Sequence, residues 1–150
     1  MQLSSKGRYA VMAMTDLAGR GDARPVALAD IAGRQEISLA YLEQLFARLR
    51  RKGLVTSVRG PGGGYRLSRA SAEISVADVV LAVDEPLKAT RCSSLGKGCM
   101  KAGARCLTHD LWEATGRQID SLTSAYPVAD AIQVDAPINH GNSGGPLFDG

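Results

Sequence analysis

The chain has 150 residues, of which 45% are hydrophobic and 22% charged, proportions that exclude wholesale disorder. Such a length suits one ordinary domain, or a small domain with an appendage, burying about two-thirds of its surface. Eighteen Lys and Arg against fifteen Asp and Glu leave a net charge of +3, and no apolar run approaches the ~20 residues needed to span a bilayer. The opening MQLSSKGRYAVMAM carries charges and no apolar h-region, so it does not read as a signal peptide. Three cysteines, an odd number, argue against a disulfide scaffold. A reduced cytoplasm is the expected compartment. The charge is uneven: residues 1–70 carry +7 and residues 71–150 carry −4. A basic half beside an acidic one suits a nucleic-acid-binding module joined to something else.

In chain order, Ala10, Ala13, Met14, Leu17 and Ala18 form a helical stripe that ends at Gly19 and Gly21. A short helix through Leu28, Ile31 and Ala32 follows, then a break around Gln35–Ile37, with Ser38 as a plausible N-cap. Leu42, Leu45, Phe46 and Leu49 repeat at i, i+3, i+4 and i+7, one apolar face of a helix that stops at Gly53. The opposite face shows Ala40, Glu43, Gln44, Ala47, Arg48 and Arg51. Two short helices around a tight turn, the second with a short, polar, basic face, meet the requirements of a helix-turn-helix.

Leu54–Val58 and Tyr65–Ser68 alternate as strands around the glycine-rich Gly60–Gly64, with Arg59 at its edge. The glycines fit neither the dinucleotide-binding nor the P-loop pattern. A hairpin directly after a helix-turn-helix reads as a wing that lies along the DNA backbone and inserts an arginine into the minor groove. Ser75–Val83 predicts a further helix, Thr90–Cys106 a loop, and Leu107–Leu122 a helix through Leu111, Thr115, Ile119 and Leu122, with Trp112 alongside. Pro127 does not continue it comfortably.

Cys92, Cys99, Cys106 and His109 are spaced C-x6-C-x6-C-x2-H. Three thiolates and an imidazole suit zinc or an iron–sulfur cluster. The absence of a C-x2-C knuckle favours a cluster modestly, and spacing alone leaves both open.

The segments LSSKGRYAV, ISLAYLEQLFARLRRKGLV, SVRGPGGGY, AVDE, TRC and CLTHDLW together resemble the IscR-type iron–sulfur regulators, dimeric winged-helix transcription factors. The resemblance covers about residues 1–124. It implies that Cys92, Cys99, Cys106 and His109 hold a 2Fe–2S cluster, that residues 38–52 form the recognition helix, and that Arg59 lies in the wing. Each inter-cysteine interval here has one residue more than in the best-known members. The expected DNA-contacting set is Ser38, Ala40, Tyr41, Glu43, Gln44, Arg48, Arg50 and Arg51 from the helix, with Arg59, Gly60 and Gly62 from the wing. The partners so implied are a second copy of the chain and a pseudo-palindromic duplex, with no membrane.

From about Ala125 the chain is expected to leave that family. AIQVDAPINHGNSGGPLFD, Ala131–Asp149, resembles the nucleophile segment of HtrA-type serine proteases, in which GNSGGP supplies a serine, here Ser143. The remainder of such a protease is missing, and His140 without a scaffold makes a poor base. A fusion or frameshift leaving a flexible tail is the simpler account. The expected architecture is therefore mainly α with a small β-wing. Residues 1–70 are the winged helix-turn-helix domain, 71–106 a linking helix and cysteine loop, 107–124 a long dimerisation helix, and 125–150 a foreign tail. The expected function is cluster-dependent transcriptional regulation rather than an enzyme activity. The alternatives are a DNA-binding regulator with a structural zinc and, from another class, a serine hydrolase using Ser143.

Overall fold

The computed structural model describes residues 4–20, 24–83, 99–100 and 103–131. Helix α1, Ser5–Gly19, starts where the Ser4 hydroxyl accepts from the Lys6 amide at 3.2 Å. Its small residues Ala10 and Ala13, with Met14 and Leu17, are buried and let the neighbouring elements pack close.

Helices α2, Leu28–Gln35, and α3, Leu39–Arg51, are joined by a turn in which Glu36 takes the left-handed conformation, φ 54°. The Ile37 amide then closes on the Ala32 carbonyl at 3.1 Å, and the Ile37 side chain is buried. This combination sets α3 at an angle to α2 and turns its Leu42, Leu45, Phe46 and Leu49 face into the core. Across the turn Asp16 of α1 accepts from Arg34 Nη2 at 2.6 Å and from Gln35 Nε2 at 2.7 Å, tying α1 to the end of α2.

Strands β1, Val55–Val58, and β2, Gly64–Leu67, form an antiparallel pair with Val55 opposite Leu67 and Val58 opposite Gly64. Val26 extends the sheet by one residue, exchanging both backbone hydrogen bonds with Tyr65 at 2.8 Å. Gly64 is required there, because a Cβ would meet the Val26 carbonyl oxygen at 2.3 Å. The Tyr65 ring packs edge-on against Phe46, with centroids 4.9 Å apart, so the wing is anchored on α3.

A single 3₁₀ turn, Ser71–Glu73, leads into α4, Val76–Ala82. Ser75 and Asp78 make a reciprocal capping box at 3.1 Å each way, and the carboxylate also takes Arg69 at 3.2 Å. Helix α5, His109–Ala125, packs against α4 and ends two residues before Pro127. The chain then turns back through a second 3₁₀ turn, Val128–Ala131. The Val76 amide donates to the Tyr126 carbonyl at 2.8 Å, the Val128 amide to the Ile74 carbonyl at 2.7 Å, and the Val128 side chain is wholly buried beside α1.

Residues 126–131 fall within the tail expected from about Ala125, and Val128 among them is buried in the core. Pro127 ends the helix and redirects the chain, which brings Val128 inward. Ser143, His140 and the protease-like segment beyond Ala131 lie outside the described residues. None of the described helices is long and apolar enough to cross a membrane.

Candidate nucleic-acid interface and cysteine–histidine site

The surface of α3 opposite its buried face presents Ala40, Glu43, Gln44, Arg50 and Arg51, all exposed. Ser38 occupies the N-cap position, exposed, with no side-chain capping bond. Arg50 reaches Ser57 Oγ on β1 at 3.4 Å, and Arg51 Nε donates to the Ala47 carbonyl at 3.3 Å. Two residues of the expected contact set sit on the flank rather than the centre of this face. Tyr41 is half-buried, its ring edge-on to Tyr9 with centroids 6.1 Å apart. Arg48 is also half-buried, and its Nη1 donates to the Val83 carbonyl at 3.1 Å. Arg48 thus ties the recognition helix to the end of α4, a role that the alternation of charge along α3 did not reveal.

At the wing tip Gly60 and Gly62 adopt φ 104° and 74°, and the Gly63 amide closes on the Gly60 carbonyl at 2.8 Å. A Cβ at Gly63 would meet the Val58 carbonyl oxygen at 2.4 Å. Only glycines make a loop this tight. Arg59, at its edge, is exposed on the same hairpin.

The second site lies at the start of α5. His109 is the buried polar side chain among the described residues, 4% exposed, and its amide takes the Cys106 carbonyl at 3.0 Å. Its Nδ1 stands 3.6 Å from Cys99 Sγ, which also accepts from the Cys106 amide at 3.0 Å. Cys106 Sγ lies 3.7 Å from Thr108 Oγ1, and Trp112 Nε1 donates to that hydroxyl at 3.0 Å. Cys99 and Cys106 are both half-buried, and Cys92 lies outside the described residues. On the other side of the imidazole, Nε2 is 3.9 Å from Glu113 Oε2, and Glu113 Oε1 is 3.3 Å from Arg117 Nη1. His109, Asp110 and Glu113 each bring one ligand-capable atom within 4.8 Å of the others.

A thiol beside a buried imidazole is a donor pair suited to an iron–sulfur cluster or zinc: Cys99 stands next to His109, and the Cys106 amide points at the Cys99 sulfur, the kind of hydrogen bond that tunes such centres. Glu113 and Arg117 were not singled out in the sequence, although the successive i, i+4 steps from His109 to Glu113 to Arg117 along α5 were the available signal.

A recognition helix set on a turn, an anchored glycine-tipped wing and a separate helix beyond them define a winged-helix DNA-binding regulator. The chain belongs to the Rrf2 family, described as iron-dependent transcriptional regulators, whose pattern it matches over residues 3–133. That match runs past residue 124, in keeping with the packing of residues 126–131. The chain is 61% identical over 132 residues to the HTH-type transcriptional regulator IscR of Escherichia coli O1:K1 / APEC, covering 88% of this chain and 80% of that one. It is 49% identical over 153 residues to IscR of Vibrio vulnificus YJ016, covering 94% and 90%. Among solved structures it is similar to T. potens IscR, with a TM-score of 0.72 and 37% identity over 88% of this chain and 86% of that chain. It is also similar to CymR, the global cysteine regulator of B. subtilis, with a TM-score of 0.74 and 28% identity over 88% and 96%. The protein is accordingly a DNA-binding transcriptional regulator and not an enzyme.

Proposed function

We propose that this regulator senses iron–sulfur supply through a 2Fe–2S cluster held by Cys92, Cys99, Cys106 and His109. A cytoplasmic homodimer reads a pseudo-palindromic operator with α3 and the wing. The observation that carries the cluster reading is the approach of Cys99 Sγ to the buried His109 Nδ1 at 3.6 Å, with the Cys106 amide on the same sulfur. When bound, such a cluster supplies a redox-active, oxygen-sensitive and removable ligand. The residues of this chain supply the thiolates, the imidazole and the amide that holds one sulfur in place. By linkage, any change that cluster occupancy makes in DNA affinity appears reciprocally in cluster affinity.

For DNA, Arg50, Arg51 and Arg59 provide phosphate or groove contacts, while Ser38, Ala40, Tyr41, Glu43 and Gln44 line the helix that faces the bases. Arg48 contributes by holding α3 against α4, and Gly60 and Gly62 bring the wing backbone close. The dimer is supported by the apolar face of α5, where Leu111, Trp112 and Leu122 are all exposed.

An anaerobic visible spectrum with iron and sulfide analysis tests the cluster. Two irons and two sulfides per chain with visible absorbance are expected, whereas colourless protein with one zinc would replace the cluster by a structural metal. Arg59→Ala is expected to weaken operator binding by about 1–3 kcal/mol without unfolding the protein. Gel-shift titration at fixed salt reads that difference.

A further inference from the structure

We propose that Glu113 is a positioning carboxylate for His109, holding the imidazole so that Nδ1 faces the Cys99 sulfur; the inference rests on the cluster reading above. The ring is presented with two different neighbours. Nδ1 looks toward Cys99 Sγ at 3.6 Å, and Nε2 looks toward Glu113 Oε2 at 3.9 Å. The His109 side chain is 5% exposed and that of Glu113 24%, so the pair is largely shielded from water.

The geometry follows from α5 itself. Residues four apart lie one above the other on a helix, so Glu113 stands over His109 and Arg117 stands over Glu113. Arg117 takes the other carboxylate oxygen at 3.3 Å, which limits how Glu113 can turn. A distance of 3.9 Å is longer than a hydrogen bond, and closing it takes a movement of less than about 1 Å. An imidazole that ligates through one nitrogen carries its proton on the other. A carboxylate beside that proton fixes tautomer and ring orientation and strengthens the ligand. Asp120, exposed three turns further along α5 from His109, serves as the control.

The experiment uses the full chain, reconstituted anaerobically with ferrous iron and sulfide and then challenged with EDTA while visible absorbance is followed. Glu113→Ala is expected to lose its cluster at least about tenfold faster than the unaltered protein, in line with the effect of removing such an outer partner. Its reduction potential is expected to rise, because an anionic neighbour has been removed. Glu113→Gln, nearly isosteric, is expected to fall between the two in rate, and Asp120→Asn to match the unaltered protein. In a His109→Cys background, Glu113→Ala is expected to leave the rate of cluster loss unchanged. Equal rates and potentials for Glu113→Ala, Glu113→Gln and the unaltered protein would overturn the assignment, as would an undiminished effect on the rate in the His109→Cys background. Unaltered protein that takes up no iron and sulfide would instead overturn the cluster reading, and this assignment with it.

Discussion

The DNA-reading head and helix α5 are built by opposite rules. In the head, helices α1 to α4 and both strands bury apolar residues, and Phe46, Met14, Ile31 and Leu42 are wholly enclosed. Helix α5 is 17 residues long, yet His109 is its one buried residue, and Leu111, Trp112 and Leu122 face outward. The head therefore holds itself together, whereas α5 presents apolar surface that the other described residues do not cover. Among the described residues the two regions meet at α4 and through the return of residues 126–131 onto Ile74, Ser75 and α1.

The strongest test of that division is Phe46→Ala, which removes the ring that joins α3 to the wing. A loss of about 3–5 kcal/mol is expected, and denaturant titration should show the head unfolding as a unit. Val128→Ala probes the return segment and is expected to cost about 1–3 kcal/mol through lost burial and a residual cavity. Truncation after residue 125 should destabilise the head comparably, whereas truncation after 131 should leave its thermal midpoint unchanged. Equal midpoints for the two truncations would contradict the packing of Val128.

The Asp16 carboxylate sharpens the comparison through pH. Its burial pushes the carboxyl up, but hydrogen bonds from Arg34 and Gln35 and the positive charges of Arg34 and Arg20 outweigh that and hold it below its ordinary 3.8. A group lowered on folding stabilises the fold above its unfolded value and loses that contribution as pH falls through its folded value. Asp16→Asn is therefore expected to cost about 1–2 kcal/mol near neutral pH. The difference from the unaltered protein should shrink as the pH is taken below 3.8. The smallest effect on protomer stability belongs to Leu122→Ala on α5, expected to lie within about 0.5 kcal/mol. The same change should raise the dissociation constant of the dimer, read by analytical ultracentrifugation.

Much of the head could be read from residue spacing. The period of Leu42, Leu45, Phe46 and Leu49 marks α3, and the glycine run marks the hairpin, because both signals are local. What escaped was set by distant partners. Val26 carries no strand signal of its own and pairs only because Tyr65 arrives beside it. Arg48 sits among basic residues that suggest DNA, yet its guanidinium turns to the Val83 carbonyl. Tyr126–Ala131 contain Pro127 and lead into a segment that resembles another protein, so composition points outward where the packing of Val128 points inward. At the second site residue type and spacing singled out Cys99 and His109, which the fold places side by side. The Glu113–Arg117 ladder was not singled out, since a helix face rich in charge ordinarily belongs to solvent.

The clasp between Ile74–Val76 and Tyr126–Val128 also makes α5 a measuring rod. Seventeen residues at about 1.5 Å each give a bar of roughly 25 Å, pinned to the head at its far end by two backbone hydrogen bonds. A bar fixed in this way cannot swing freely. If two copies pair along it, the distance between their reading helices is set by the bar's length and crossing angle rather than by a slack tether. The spacing of half-sites in an operator would then be a mechanical constant of this helix, altered by adding or deleting a turn of α5 and insensitive to changes at the wing.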